Sequence, residues 1–181
     1  MTYRIFIDGA IGTTGLQVHD RLETHPAATA VVLDDDLRKD SNARRAMMAE
    51  SDITILCLPD DAARESAALA HELDARVIDA SSAHRTADGW TYGFAELSAN
   101  AANDIAKARQ ITNPGCYPTG FLALARPLVD AGLIAADAKL VVPAVSGYSG
   151  GGKALIGKHQ AGGVAAHVAY GLTMAHKHLP E

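Results

Sequence analysis

Seven residues, Gly9-Ala10-Ile11-Gly12-Thr13-Thr14-Gly15, separate a strand-like run at 3–7 from a helical stretch at 16–22. No other feature constrains the fold as much. Glycines at a strand-to-helix junction allow a tight turn and let backbone N–H groups approach a pyrophosphate without a Cβ in the way. The spacing is GxxGxxG, a variant of the commoner GxGxxG fingerprint, so the surrounding pattern has to support it.

It does. Further strand-like runs at 30–33, 53–58 and 76–78 alternate with helical compositions at 43–49 and 62–73. Such alternation implies parallel βαβ units, and the apolar run 53–58 fits a central strand covered on both faces. The expected fold class is α/β, a Rossmann-type doubly wound parallel sheet with ligands at the carboxyl ends of its strands. A helix ending near Ala108, a strand at 110–112 and the turn Asn113-Pro114-Gly115 close this unit, giving a dinucleotide-binding domain over 1–115. Residues 116–181 then read as the beginning of a second domain. It holds a helix at 117–131, a buried strand at 140–145 and a glycine-rich loop at 146–152.

At 181 residues and 48% hydrophobic, the chain can bury one full core and begin a second. The net charge of −5 and scattered basic residues leave no footprint for nucleic acid. No run approaches the roughly 18 apolar residues that a membrane span needs, and the N-terminus enters a strand without an export signal, so the expected compartment is the cytoplasm. A small-molecule ligand is the expected partner.

About twenty residues after the glycine turn, where a ribose-reading residue is expected, the chain offers Asp34-Asp35-Asp36 and then Arg38 and Lys39. The acids favour NAD and the two cations favour the 2′-phosphate of NADP, which leaves the choice open at this point. Pro59 ends the third strand close to where a cofactor would lie.

The two cysteines lack metal or disulfide spacing. Cys57, inside the apolar run, reads as a small buried hydrophobe. Cys116 follows Pro-Gly and begins a helix, where free N–H groups stabilise a thiolate. Candidate bases lie at the end of the chain, in His176-Lys177-His178-Leu179-Pro180-Glu181. Two histidines that close point to opposite sides of an extended segment and so do not suggest a metal site, and none is expected. Arg85, after the fourth strand, suits a carboxylate or phosphate.

Taken together, these motifs resemble the N-acetyl-gamma-glutamyl-phosphate reductases, particularly their short form. Gly9–Gly15 resembles the family's cofactor loop, and residues 79–85 with Tyr92-Gly93-Phe94-Ala95-Glu96-Leu97 resemble its substrate-side segment. Asn113-Pro114-Gly115-Cys116-Tyr117-Pro118-Thr119 resembles its nucleophile signature, and residues 146–153 and 176–181 resemble two later segments in the expected order.

The resemblance implies NADPH-dependent reduction of an acyl phosphate to an aldehyde in arginine biosynthesis, through a thioester on Cys116. His178, or His176 as second choice, would be the acid/base. Arg85, Ser82 and Glu181 would face the substrate. Gly9, Gly12, Thr13, Thr14, Gly15, Arg38, Lys39, Pro59, Ser149 and Gly150 would face NADP. The related reductases of aspartyl and aminoadipyl phosphates are the enzymatic alternatives.

Family members are homo-oligomers and continue well past the terminal histidine segment. The resemblance therefore implies that residues 116–181 are an incomplete α+β catalytic or substrate domain, the chain stopping inside it, with residues after about Ser146 less stable than the Rossmann part. A reading of another class follows, a nucleotide-binding fragment or interaction module without turnover.

Overall fold

The computed structural model describes residues 1–162, 165 and 167–181. Six strands, β1 Tyr3–Asp8, β2 Ala28–Val31, β3 Ile53–Leu56, β4 Val77–Asp79, β5 Thr91–Tyr92 and β6 Gln110–Thr112, form one sheet in the order β2-β1-β3-β4-β6-β5. Every pairing is parallel. Helices α1 Thr13–Glu23, α2 Ser41–Ala49, α3 Asp60–Glu72 and α4 Ala101–Lys107 alternate with them. The expected α/β sheet is present, and its strand order reverses direction at β1, which opens a crevice between the carboxyl ends of β1 and β3.

β1 shows why these segments are strands. Ile5, Phe6 and Ile7 are buried, as a strand covered on both faces requires. Phe6, Met48, Leu56, Ala67, Ala70 and Val77 pack into the core between sheet and helices. Burying Phe6 or Leu56 contributes about 1.5–3 kcal/mol each.

Several strands differ from the sequence expectation. β2 begins at Ala28 rather than at 30 and ends at Val31, because its pairing with β1 runs from Tyr3↔Ala28 to Phe6↔Val31. β3 stops at Leu56, which leaves Cys57 just past the strand end instead of within it. β5, two residues long, had no apolar run to announce it and exists through its pairing with β6.

The larger correction concerns 140–145. Instead of a buried strand these residues form no regular element, and Val141 and Val145 are 92% and 99% exposed. A strand is stable only with a partner, and no described strand lies beside this segment. The region also holds α5 Cys116–Asp130, a 3-10 turn Tyr148–Gly151 and α6 Gly152–Gln160, the last not anticipated. Leu124 and Leu133 are about three-quarters exposed.

Candidate active site

The glycine turn sits at the mouth of the β1/β3 crevice. Gly9 has φ 92°, and a Cβ there would lie 2.4 Å from the Cys57 carbonyl oxygen. At Gly15 a Cβ would lie 2.4 Å from the Gly9 oxygen, so α1 packs directly on the turn. Gly12 N-caps α1 with no side-chain cap, and among the described residues the N–H groups of Thr13, Thr14 and Gly15 have no acceptor. Three free donors at a helix N-terminus suit a diphosphate. The turn therefore fits the dinucleotide that the sequence suggests. Pro59 N-caps α3 beside this crevice.

Arg38 and Lys39 lie in an exposed turn after β2, where Arg38 sits 3.7 Å from Asp35. Asp40 ends the turn by capping α2 through Ala43 N–H. Both cations are exposed.

The 3-10 turn carrying Ser149 and Gly150 leads into α6, which returns to the glycine turn. Lys153 Nζ donates to the Ile11 carbonyl. A Cβ on Gly152 would lie 3.9 Å from Thr13 Oγ1.

Cys116 is exposed and is the first residue of α5. Pro114 starts the turn, Gly115 caps the helix in an extended conformation, and Thr119 N–H and Oγ1 both return to the Gly115 carbonyl. Gly115 has no room for a side chain. A Cβ there would meet Arg85 Nη1 and Glu181 Oε1 at 2.7 Å and His178 Cδ2 at 2.8 Å. The turn before the cysteine is thus enclosed by three of the residues singled out from sequence.

Glu181 holds that enclosure together. Its carboxylate accepts from Arg85 Nη1 at 2.8 Å, Tyr92 Oη at 2.9 Å and Gly115 N–H at 2.8 Å. Burial opposes its ionisation, but these donors and the Arg85 charge outweigh burial and hold the carboxyl below the usual range. Tyr92 is pushed well above the ordinary phenol value by burial and by its bond to Glu181. Arg85 also donates to the Asn113 and Ala80 carbonyls.

His178 is held below the usual histidine value, first by burial and then by Arg85 and His176, so at neutral pH it is uncharged. Its Nδ1 is buried without a partner among the described residues. His176 and His178 do not point apart. Residues 177–180 form a turn instead of an extended segment, and the two rings meet edge to face with centroids 4.5 Å apart. His176 Nδ1 accepts the His178 N–H at 3.2 Å, and its Nε2 bonds the Tyr170 hydroxyl. Ser82 is engaged elsewhere, since its N–H and hydroxyl both donate to Asp60.

Cys57 is half-buried, and burial, with the charges of Asp8 and Asp79, pushes its thiol up to about 11. Burial also raises the Asp8 carboxyl, against the Ser66 hydroxyl and the Arg44 guanidinium. The one group of possible metal ligands among the described residues, His19, Asp20 and Glu23, lies in the C-terminal half of α1.

Comparison with known proteins bears on this arrangement. A model described as semialdehyde dehydrogenase, NAD binding domain, matches residues 4–105, and one described as semialdehyde dehydrogenase, dimerisation domain, matches residues 116–181. The chain belongs to the semialdehyde dehydrogenase family.

Within that family it is 52% identical over 180 residues to N-acetyl-gamma-glutamyl-phosphate reductase 2 of Pseudomonas putida, covering 98% of this chain and 58% of that one. It is 48% identical over 183 residues to N-acetyl-gamma-glutamyl-phosphate reductase of a Chelativorans species, covering 100% of this chain and 59% of the relative. This semialdehyde dehydrogenase chain therefore spans a little under three-fifths of the length of the curated relatives it matches.

Among solved structures, aspartate semialdehyde dehydrogenase II of Vibrio cholerae aligns with a TM-score of 0.64 at 18% identity, over 90% of this chain and 51% of that one. Aspartate semialdehyde dehydrogenase with NADP from Candida albicans aligns at 0.51 and 15% identity, over 72% of this chain and 48% of its own. Both likenesses concern the fold.

Two residues of this arrangement carry no signal in the sequence. Tyr92 lies on the edge strand β5 beside Glu181, a position with no local signature. Lys153 reaches the glycine turn only because α6 returns to it.

Proposed function

We propose that this chain carries the cofactor-binding and nucleophile-bearing part of an N-acetyl-gamma-glutamyl-phosphate reductase, with 1–115 binding NADP and 116–181 beginning the catalytic domain. One observation carries the reading: Arg85, Glu181 and His178 converge on Gly115, so the cysteine that follows stands at a helix N-terminus beside a cation and an uncharged imidazole. The relatives near 50% identity bear that activity in their names.

The chemistry follows from the residues. Neutral His178 is suited to act first as base, taking the proton from Cys116 Sγ as the sulfur bonds the acyl carbon. The bond from that carbon to the phosphate oxygen then breaks, and inorganic phosphate leaves with its electron pair. N–H groups of Cys116 and Tyr117, free of acceptors among the described residues, supply donors for the developing oxyanion. NADPH, when bound, supplies the hydride that converts the thioester to the aldehyde and frees the thiolate. The imidazolium left on His178 is then the proton source.

Arg85 spends three of its five N–H groups on Glu181, Asn113 and Ala80, leaving two for an anionic substrate group. Glu181 fixes Arg85 and the Gly115 turn. The bonds of His176 to Tyr170 and to the His178 backbone favour His178 over His176 as the acid/base.

The test is the reverse reaction, phosphate-dependent reduction of NADP by N-acetyl-glutamate semialdehyde, in parallel with Cys116→Ser and with aspartate and aminoadipate semialdehydes as competitors. Turnover lost with the sulfur supports the reading, and turnover that survives Cys116→Ser overturns it. The exposed apolar side chains of α5 and residues 140–145 favour a second reading, NADP binding without turnover, which measurable binding and no turnover by the parent chain would support.

A further inference from the structure

Helices α1 and α6 start beside one another. Thr13 opens α1 and Gly152 opens α6, and a Cβ on Gly152 would touch Thr13 Oγ1. Neither helix has a side-chain cap at its N-terminus, and neither carries an acidic residue in its first turn. α3, by contrast, begins with Asp60 and Asp61. The free N–H groups of α1 present about half a positive charge, α6 adds the donors left after its Gly152 N–H bonds the Ser149 carbonyl, and Lys153 adds a whole charge between them, bonded only to the Ile11 carbonyl among the described residues. Positive ends gathered in this way repel one another unless an anion sits among them.

The approach is built into the backbone. Gly152 has φ 69°, a conformation that side chains rarely adopt, and a Cβ on Gly151 would lie 2.5 Å from Leu155 Cδ2. Tyr148 packs on His159 with ring centroids 4.2 Å apart, which fixes the 3-10 turn against α6. Lys153 is therefore delivered to the glycine turn by a local unit of its own, more than 140 residues further along the chain.

We infer that Lys153 is a cofactor-binding residue, pairing its ammonium with the diphosphate that the α1 N-terminus takes up, so that α6 and α1 hold the same anion. This rests on the proposal that the glycine turn binds NADP. The pairing adds a charge that the three N–H groups of α1 lack.

The test is equilibrium binding of NADPH, read by fluorescence at several salt concentrations, to the parent chain, Lys153→Met and Lys153→Arg, with adenosine 2′-monophosphate as a ligand lacking the diphosphate. Lys153→Met is expected to weaken NADPH binding about tenfold and to flatten its salt dependence, with the monophosphate bound as before and Lys153→Arg within about threefold of the parent. Circular dichroism checks that each variant is folded, which the exposure of Lys153 favours. NADPH bound equally by Lys153→Met and parent overturns the role of Lys153 alone, whereas no binding by the parent overturns the cofactor reading and this inference with it.

Discussion

Glu181 Oε1 accepts a hydrogen bond of 2.8 Å from Arg85 Nη1 across 96 positions of sequence, and both side chains are almost fully buried. This pair fastens the terminal histidine segment to the sheet domain. Glu181→Ala leaves Arg85 without its carboxylate and the Gly115 N–H without its acceptor, at a cost of about 3–5 kcal/mol for breaking a buried pair. The cost is met by local detachment. Hydrogen exchange should show the Gly115 amide losing protection while amides of β1 and β3 keep theirs.

His178 sets a pH dependence. Its folded-state value lies below the ordinary histidine value, so the unfolded chain binds the extra proton first as pH falls. Stability from this group is complete above about 6.5, the unpaired value, and declines as pH falls from there until the folded-state ring also protonates. Urea titrations between pH 7.5 and 5 should give a positive slope of stability with pH. His178→Gln should reduce that slope, and an unchanged slope would assign it elsewhere.

At Glu181 the loss comes at lower pH. Its folded carboxyl is held below the usual range, so the stability it contributes is present above the unfolded value of about 4.3 and is lost as pH falls through the folded one. A second fall in stability below about pH 4.3 should be present in the parent and smaller in Glu181→Gln.

The three glycines of the turn should separate in their effects. Gly9→Ala and Gly15→Ala each place a Cβ 2.4 Å from a carbonyl oxygen, and at Gly9 the positive φ adds strain, so each should cost about 3 kcal/mol or more in chemical unfolding. At Gly12 the nearest atom would be 3.4 Å away. Gly12→Ala should cost about 1 kcal/mol, and a larger loss would mean that the turn is tighter than its contacts indicate.

The two thiols should differ in alkylation by iodoacetamide. Cys116 is exposed at a helix start, while Cys57 is half-buried with its thiol raised to about 11. At pH 8 peptide mapping should find the label on Cys116, with Cys57 reacting only after denaturation.

The sequence by itself determined the class of fold, because strand and helix patterns are local: strand-like runs of about three to six residues, amphipathic stretches between them, and glycines where the first strand turns into the first helix. It also pointed to Cys116 as a reactive position, since a Pro-Gly turn and the helix after it are fixed by neighbours in the chain. Tertiary structure alone decided the rest. The run at 140–145 has a strand's composition but stays exposed, because pairing needs a neighbour that composition cannot supply. The histidines share one side because residues 177–180 turn, and His178 is neutral because burial and Arg85 act on it through space. Ser82 turns to Asp60, Tyr92 to Glu181 and Lys153 to Ile11, each partner more than twenty positions away. Such contacts depend on how the sheet brings distant segments to one edge, and that information lies in the packing of the whole chain.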